Sequence, residues 1–137
     1  MITEDLRSFL VVDAGVLAVV AVSSDSPQRV AIHPVQMPKN RIGYPSAVFT
    51  LDGEERQQMM SGFANELVEA YLTIDCYALT YLQAHALATA IQTAIEGYRG
   101  AMGSSTIEHV RVETKIDGLE DPTNLHRVSL QVLIAYS

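Results

Sequence analysis

The stretch from Leu67 to Tyr98 changes its hydrophobic period midway, and few folds accommodate that change. Val68, Ala70, Leu72, Ile74 and Cys76 alternate with Leu67, Glu69, Tyr71, Thr73, Asp75 and Tyr77. A period of two puts the first set on one face of a strand and the second on the other. The first face is apolar and reads as core, whereas the second mixes two tyrosines with polar groups. At Thr80 the pattern becomes helical. Thr80 and Gln83 form a T-x-x-Q capping box, and Ala84, Leu87, Ala88, Ile91, Ala94, Ile95 and Tyr98 follow on one stripe. Gly97, Gly100 and Gly103 end that helix. A strand that hands over directly to an amphipathic helix predicts a sheet with the helix packed on its apolar face.

The rest of the chain supplies further strands. Around "MITEDLRSFL", Thr3 reads as an N-cap, Glu4 and Asp5 suit the positive end of a helix dipole, and Leu6, Phe9 and Leu10 make a stripe. Asp13 reads as the cap of a second short helix, "AGVLAVVAV", although its β-branched residues also suit a strand. "SSDSPQ" and "PKNRIGYP" are loops by composition, and "RVAIHPVQM" between them is a short extended segment. Pro34 has no N–H to donate, which places that segment at an edge or a bend. "SAVFTLDGEERQQMM" and "ELVEAYLTIDCYA" flank the turn "SGFAN", predicting a long hairpin whose polar outer half is an arm. Two strands close the chain. "TIEHVRVETKI" directs Val110, Val112 and Ile116 inward, and "LHRVSLQVLIAYS" directs Val128, Leu130, Val132 and Ile134 inward. The expected fold is α+β. An antiparallel or mixed sheet of about five strands is covered by one long helix, with short N-terminal helices and the hairpin arm, in one domain over residues 1–137.

Composition limits the functions open to such a fold. The 137 residues are 48% hydrophobic and 18% charged, which is ample for a core. No apolar run approaches the roughly 20 residues that cross a bilayer, and acids near the start predict no secretory signal. The formal net charge is −7 with nine scattered Lys and Arg, so a grip on nucleic-acid phosphates is not expected. The single cysteine allows no internal disulfide and no zinc framework.

The one arrangement suggesting catalysis is Cys76 beside Asp75 with His85 nine residues on. Periodicity separates the pair. Cys76 belongs to the apolar strand face, where burial raises a thiol pKa, and His85 lies with Thr89, Gln92 and Glu96 on the polar helix face. His33, His109 and His126 match no metal-ligand spacing, and the glycines follow a helix instead of leading into one. No catalytic, metal or cofactor residue is assigned. What remains is surface for partners: Met59, Met60 and Phe63 on the polar arm, and the Tyr71 and Tyr77 face, which is either covered by the N-terminal helices or an interface. The competing expectation is a small enzyme or ligand-binding protein with a pocket between helix and sheet, lined by His33, His109 and His126 with Tyr98 nearby.

The order of segments resembles the tail-completion, or head–tail joining, proteins of tailed bacteriophages and prophages. The resemblance rests on Arg29, Ile32, Pro34, Pro38, Tyr44, Pro45 and Val48, then Ala78 and the Ala- and Leu-rich helix of residues 84–95. It runs from about Leu6 to Tyr98, with His33 standing where a tyrosine is common. It implies a virion protein of the tail or neck, made in the bacterial host cytoplasm, that forms a homo-oligomeric ring, a hexamer. Such a ring would contact the tail tube protein and the head–tail connector or stopper protein. It would enclose DNA without specific binding and use no cofactor or membrane.

Overall fold

The computed structural model describes residues 2–20, 32–34, 45–57, 67–120 and 125–137. The chain opens with α1 (Ile2–Leu10), whose Ile2, Leu6 and Leu10 repeat every four residues and are all buried. The helix begins before Thr3, so Thr3 is not its cap. Burial of Ile2 on the same stripe as Leu6 and Leu10 draws the first turn toward the N-terminus. The next helix, α2 (Ala14–Leu17), is capped as expected: Asp13 Oδ1 accepts from the Val16 amide at 3.1 Å. The regular helix lasts only four residues, consistent with the weak helix propensity of its valines.

Strands β1 (Ile32–Pro34), β2 (Ser46–Gln57) and β3 (Leu67–Ala78) come next, followed by α3 (Tyr81–Ile95). The chain finishes with β4 (Gly100–Met102), β5 (Ser105–Glu120) and β6 (Leu125–Tyr136). They form one mixed six-stranded sheet in the order β1-β2-β3-β6-β5-β4. The strand β1 runs parallel to β2 at the sheet edge, which accommodates Pro34, and all other pairs are antiparallel.

The expectation of five strands misses β4. This three-residue strand starts at Gly100 (φ 125°), stops before Gly103 (φ 58°) and is too short to show a period. The glycines read as the end of a helix therefore also turn the chain into and out of a strand. The expectation of a single long covering helix is corrected as well. Leu87, Ala88, Ile91 and Ile95 of α3 share one core with Ile2, Leu6 and Leu10 of α1 and Val16 of α2. That core lies on the sheet face of Phe49, Leu72, Ile74, Cys76, Leu130, Val132 and Ile134.

The alternation in β3 and β6 is as the sequence predicts, but β5 breaks phase. A bulge between Val112 and Thr114 leaves Val112 opposite core-facing Val132 and Thr114 opposite outward-facing Gln131. Every residue beyond is shifted by one face. Ile116, expected inward, pairs with Ser129 on the other face and is 49% exposed. Lys115 and Asp117 take the helix-covered side, opposite Leu130 and Val128.

Candidate functional site

The Cys–His pair is separated in space as well as in chemistry. Cys76 is buried in the register of Ala47, Cys76 and Val128, and burial, followed by the Asp75 charge, pushes its thiol pKa far up. A thiol in that state is a packing group and a poor nucleophile. His85 turns to β5, where its Nε2 lies 2.8 Å from Asp117 Oδ1. Tyr81 donates its hydroxyl to the other oxygen of Asp117 at 3.0 Å and holds its ring 4.4 Å from the His85 ring. The cluster ties the first turns of α3 to the distal half of β5. It depends on the bulge, which brings Asp117 to the helix side.

The other histidines do not converge. His33 lies on β1 at one edge of the sheet, where burial and then the nearby Arg7 charge lower its pKa. His109 lies on β5, four strand positions away, which at normal strand spacing is roughly 19 Å. With Tyr98, Arg99 and Glu108 it lines a surface hollow of about 330 Å³. His126 lies on β6, its ring 6.2 Å from Tyr81. The expected pocket between helix and sheet is filled by Leu87, Ile91, Ile74 and Leu130. Among the described residues, no group of three or more His, Cys, Asp or Glu is placed to hold a metal ion. No helix there is long and apolar enough to cross a membrane.

Tyr71 and Tyr77 stand on the sheet face opposite the core, and the helices among the described residues pack on the core face. In register, Tyr71 lies between Gly53 and Leu133, and Tyr77 between Ser46 and Arg127. Between them Thr73 donates to Asp52, Ser129 to Asp75 and Thr114 to Gln131, forming rungs of hydroxyl, carboxylate and amide. The Tyr71 hydroxyl points to Glu69 at 3.4 Å. Burial, followed by Glu55, Glu69 and Glu113, raises its pKa. Arg111 partly balances these acids through a 3.0 Å contact to Glu113. Among the described residues the result is a half-apolar, acid-rimmed surface suited to contact over an area, with Ser46 and Val48 at its β2 end buried.

The hairpin of β2 and β3 carries that surface to the end of β6, where Val68 pairs with Tyr136. Its strands remain paired as far as Gln57 and Leu67, and Glu54 accepts from the Tyr136 hydroxyl at 2.7 Å. Met59, Met60 and Phe63 lie outside the described residues.

Sequence reasoning missed the contact that fixes α1. Asp5 is only 8% exposed and accepts from the Ser105 hydroxyl at 2.7 Å, the Ser104 hydroxyl at 3.0 Å and the Ser104 amide at 3.2 Å. A Cβ at Gly103 would stand 2.2 Å from Asp5 Oδ1, so glycine is needed there for space as well as for its positive φ. The partners are about a hundred residues apart, and no local pattern announces them.

The chain matches the family model described as Tail completion protein gp17 over residues 4–137, and it belongs to that family. Among solved structures it is similar to a chain of the virion of a native gene transfer agent particle, with a TM-score of 0.68 at 15% identity. That likeness covers 96% of this chain and 90% of the other, and at such low identity it shows a shared fold. No sequence match was found among curated proteins.

Proposed function

We propose that the chain is a single tail-completion domain over residues 1–137 that acts as a structural, non-enzymatic subunit of a phage tail or neck. Copies form a ring, a hexamer, at the head-proximal end of the tail. The ring joins the tail tube to the head connector or stopper and leaves a channel for DNA. The observation that carries this reading is the family match across nearly the whole chain. The fold shared with a virion protein and the half-apolar Tyr71 and Tyr77 face support it. A net charge of −7 suits a conduit, because few Lys and Arg are available to hold phosphates as the duplex slides.

Native mass spectrometry and negative-stain imaging test it, on the protein alone and with its tail tube protein. Rings in either preparation are expected. A protein that stays monomeric in both and binds a metabolite would overturn the reading.

A further inference from the structure

The strands β2, β3, β6 and β5 are neighbours in that order, and each pair is antiparallel. Its two outer members, β2 and β5, therefore run in opposite directions. Both are capped by short strands over only part of their length. β1 pairs with residues 47–49 of β2, and β4 pairs with residues 105–107 of β5. The Gly97 amide also donates to Val110 O. Beyond these contacts, no strand among the described residues pairs with the outer side of residues 50–57 or 111–120.

A long open edge is a template for another strand, and proteins that keep such an edge solvated usually shorten it or cover it with charge. On β5 the open run carries Arg111, Glu113, Lys115 and Asp117, yet it also exposes Ile116 at 49% and Leu119 at 56%. Resting on the ring reading, we propose that the open run of β5 in one copy pairs antiparallel with the open run of β2 in a second copy. Rotation about an axis to which the strands are tilted keeps the sense of each strand around the ring, so the neighbour's β2 meets β5 with the alternation unbroken. The contact is heterologous. Each copy uses both edges, and repeated rotation closes a ring.

The two runs lie at different heights, since Arg111 is level with Leu133, Tyr71 and Gly53. Pairing therefore requires each copy to shift along the strands, the same stagger that closes a sheet into a barrel. The bulges at Leu51/Gly53 and Val112/Thr114 confine regular pairing to residues 53–57 against 114–120. Within that window Glu54 and Lys115 both lie on the helix-covered side, opposite Ala70 and Leu130 in their own sheets. A register that opposes them sets unlike charges together. Glu54 accepts from Tyr136 through Oε1 and Lys115 donates one proton to Thr89, which leaves each a further oxygen or proton for the pair. The nearby Asp117, in contrast, is held by both Tyr81 and His85, and Glu113 by Arg111.

The test is disulfide cross-linking in a Cys76→Ala background, with folding checked by thermal melting. E54C and K115C are placed in one chain, and E55C with T114C forms a second pair in the same register on the other face of the sheet. Oxidation of a double variant, with tail tube protein present, should give a ladder of covalent oligomers ending at the ring. The single variants should stay uncross-linked, and an equal mixture of two complementary singles should stop at dimers. Rings seen by native mass spectrometry without cross-links in either pair would overturn the edge pairing and leave the ring reading standing. Folded protein that never forms rings would overturn both.

Discussion

Asp5 shows how one side chain can be predicted correctly and still be misunderstood. An acid in the first turn of α1 was expected to complement the helix dipole from solvent, yet Asp5 is buried against Ser104 and Ser105. Burial alone would raise its pKa, but the Ser105 hydroxyl and the Ser104 amide and hydroxyl outweigh that and leave it lowered. Because the folded value lies below the ordinary 3.8, its stabilisation is complete above that pH. It is lost as pH falls through the lowered value. Asp5→Ala should destabilise the protein by about 1–3 kcal/mol, through the stranded serine groups. Urea unfolding at neutral pH measures that loss, and the difference between variant and parent should shrink in strong acid. At Cys76 the two readings coincide. The native thiol should resist a disulfide-exchange reagent at pH 8 and react fully once the protein is unfolded; rapid native labelling would contradict its burial.

At the scale of elements, β3 and α3 were readable because each keeps one period over its full length. The strand β5 was not, since a one-residue bulge changes its phase while leaving the composition unremarkable. Deleting Glu113 should restore simple alternation. Because Glu113 is the extra residue, Thr114 and those after it would keep their partners: Ile116 would stay opposite Ser129, and Asp117 would stay with Tyr81 and His85. An Asp117→Ala change should therefore cost about as much in the deletion background as in the parent; a double-mutant cycle on thermal stability measures this, and strong coupling would contradict the register. The short β4 was equally hidden, because three residues that start at one positive-φ glycine and stop before another carry no pattern. For the hairpin arm, removal of residues 53–65 should leave a folded protein and abolish assembly. Circular dichroism with native mass spectrometry reads both outcomes, and wholesale unfolding would show the arm to be part of the core.

For the whole molecule, the decisive asymmetry is that α1, α2 and α3 all cover one face of the sheet. The tyrosine face was expected to be either covered by the N-terminal helices or left for a partner, and the helices among the described residues pack on the other face. Changing Tyr71 and Tyr77 together to alanine should shift the melting temperature by only a few degrees. It should also weaken ring formation, as judged by native mass spectrometry; intact rings would remove this face from the interface. The sequence by itself determined where the long strands run, where strand gives way to helix, that Cys76 is core, and which family the order of segments resembles. Those features depend on neighbours within a few positions, where periodicity and capping act. Tertiary structure alone decided that three helices share one side, that Asp5 meets the β4–β5 turn, and that β5 changes face at Glu113. It also decided that β2 and β5 end the antiparallel run in opposite directions. Each of these depends on residues brought together from distant parts of the chain, and alternation along a single segment carries no record of them.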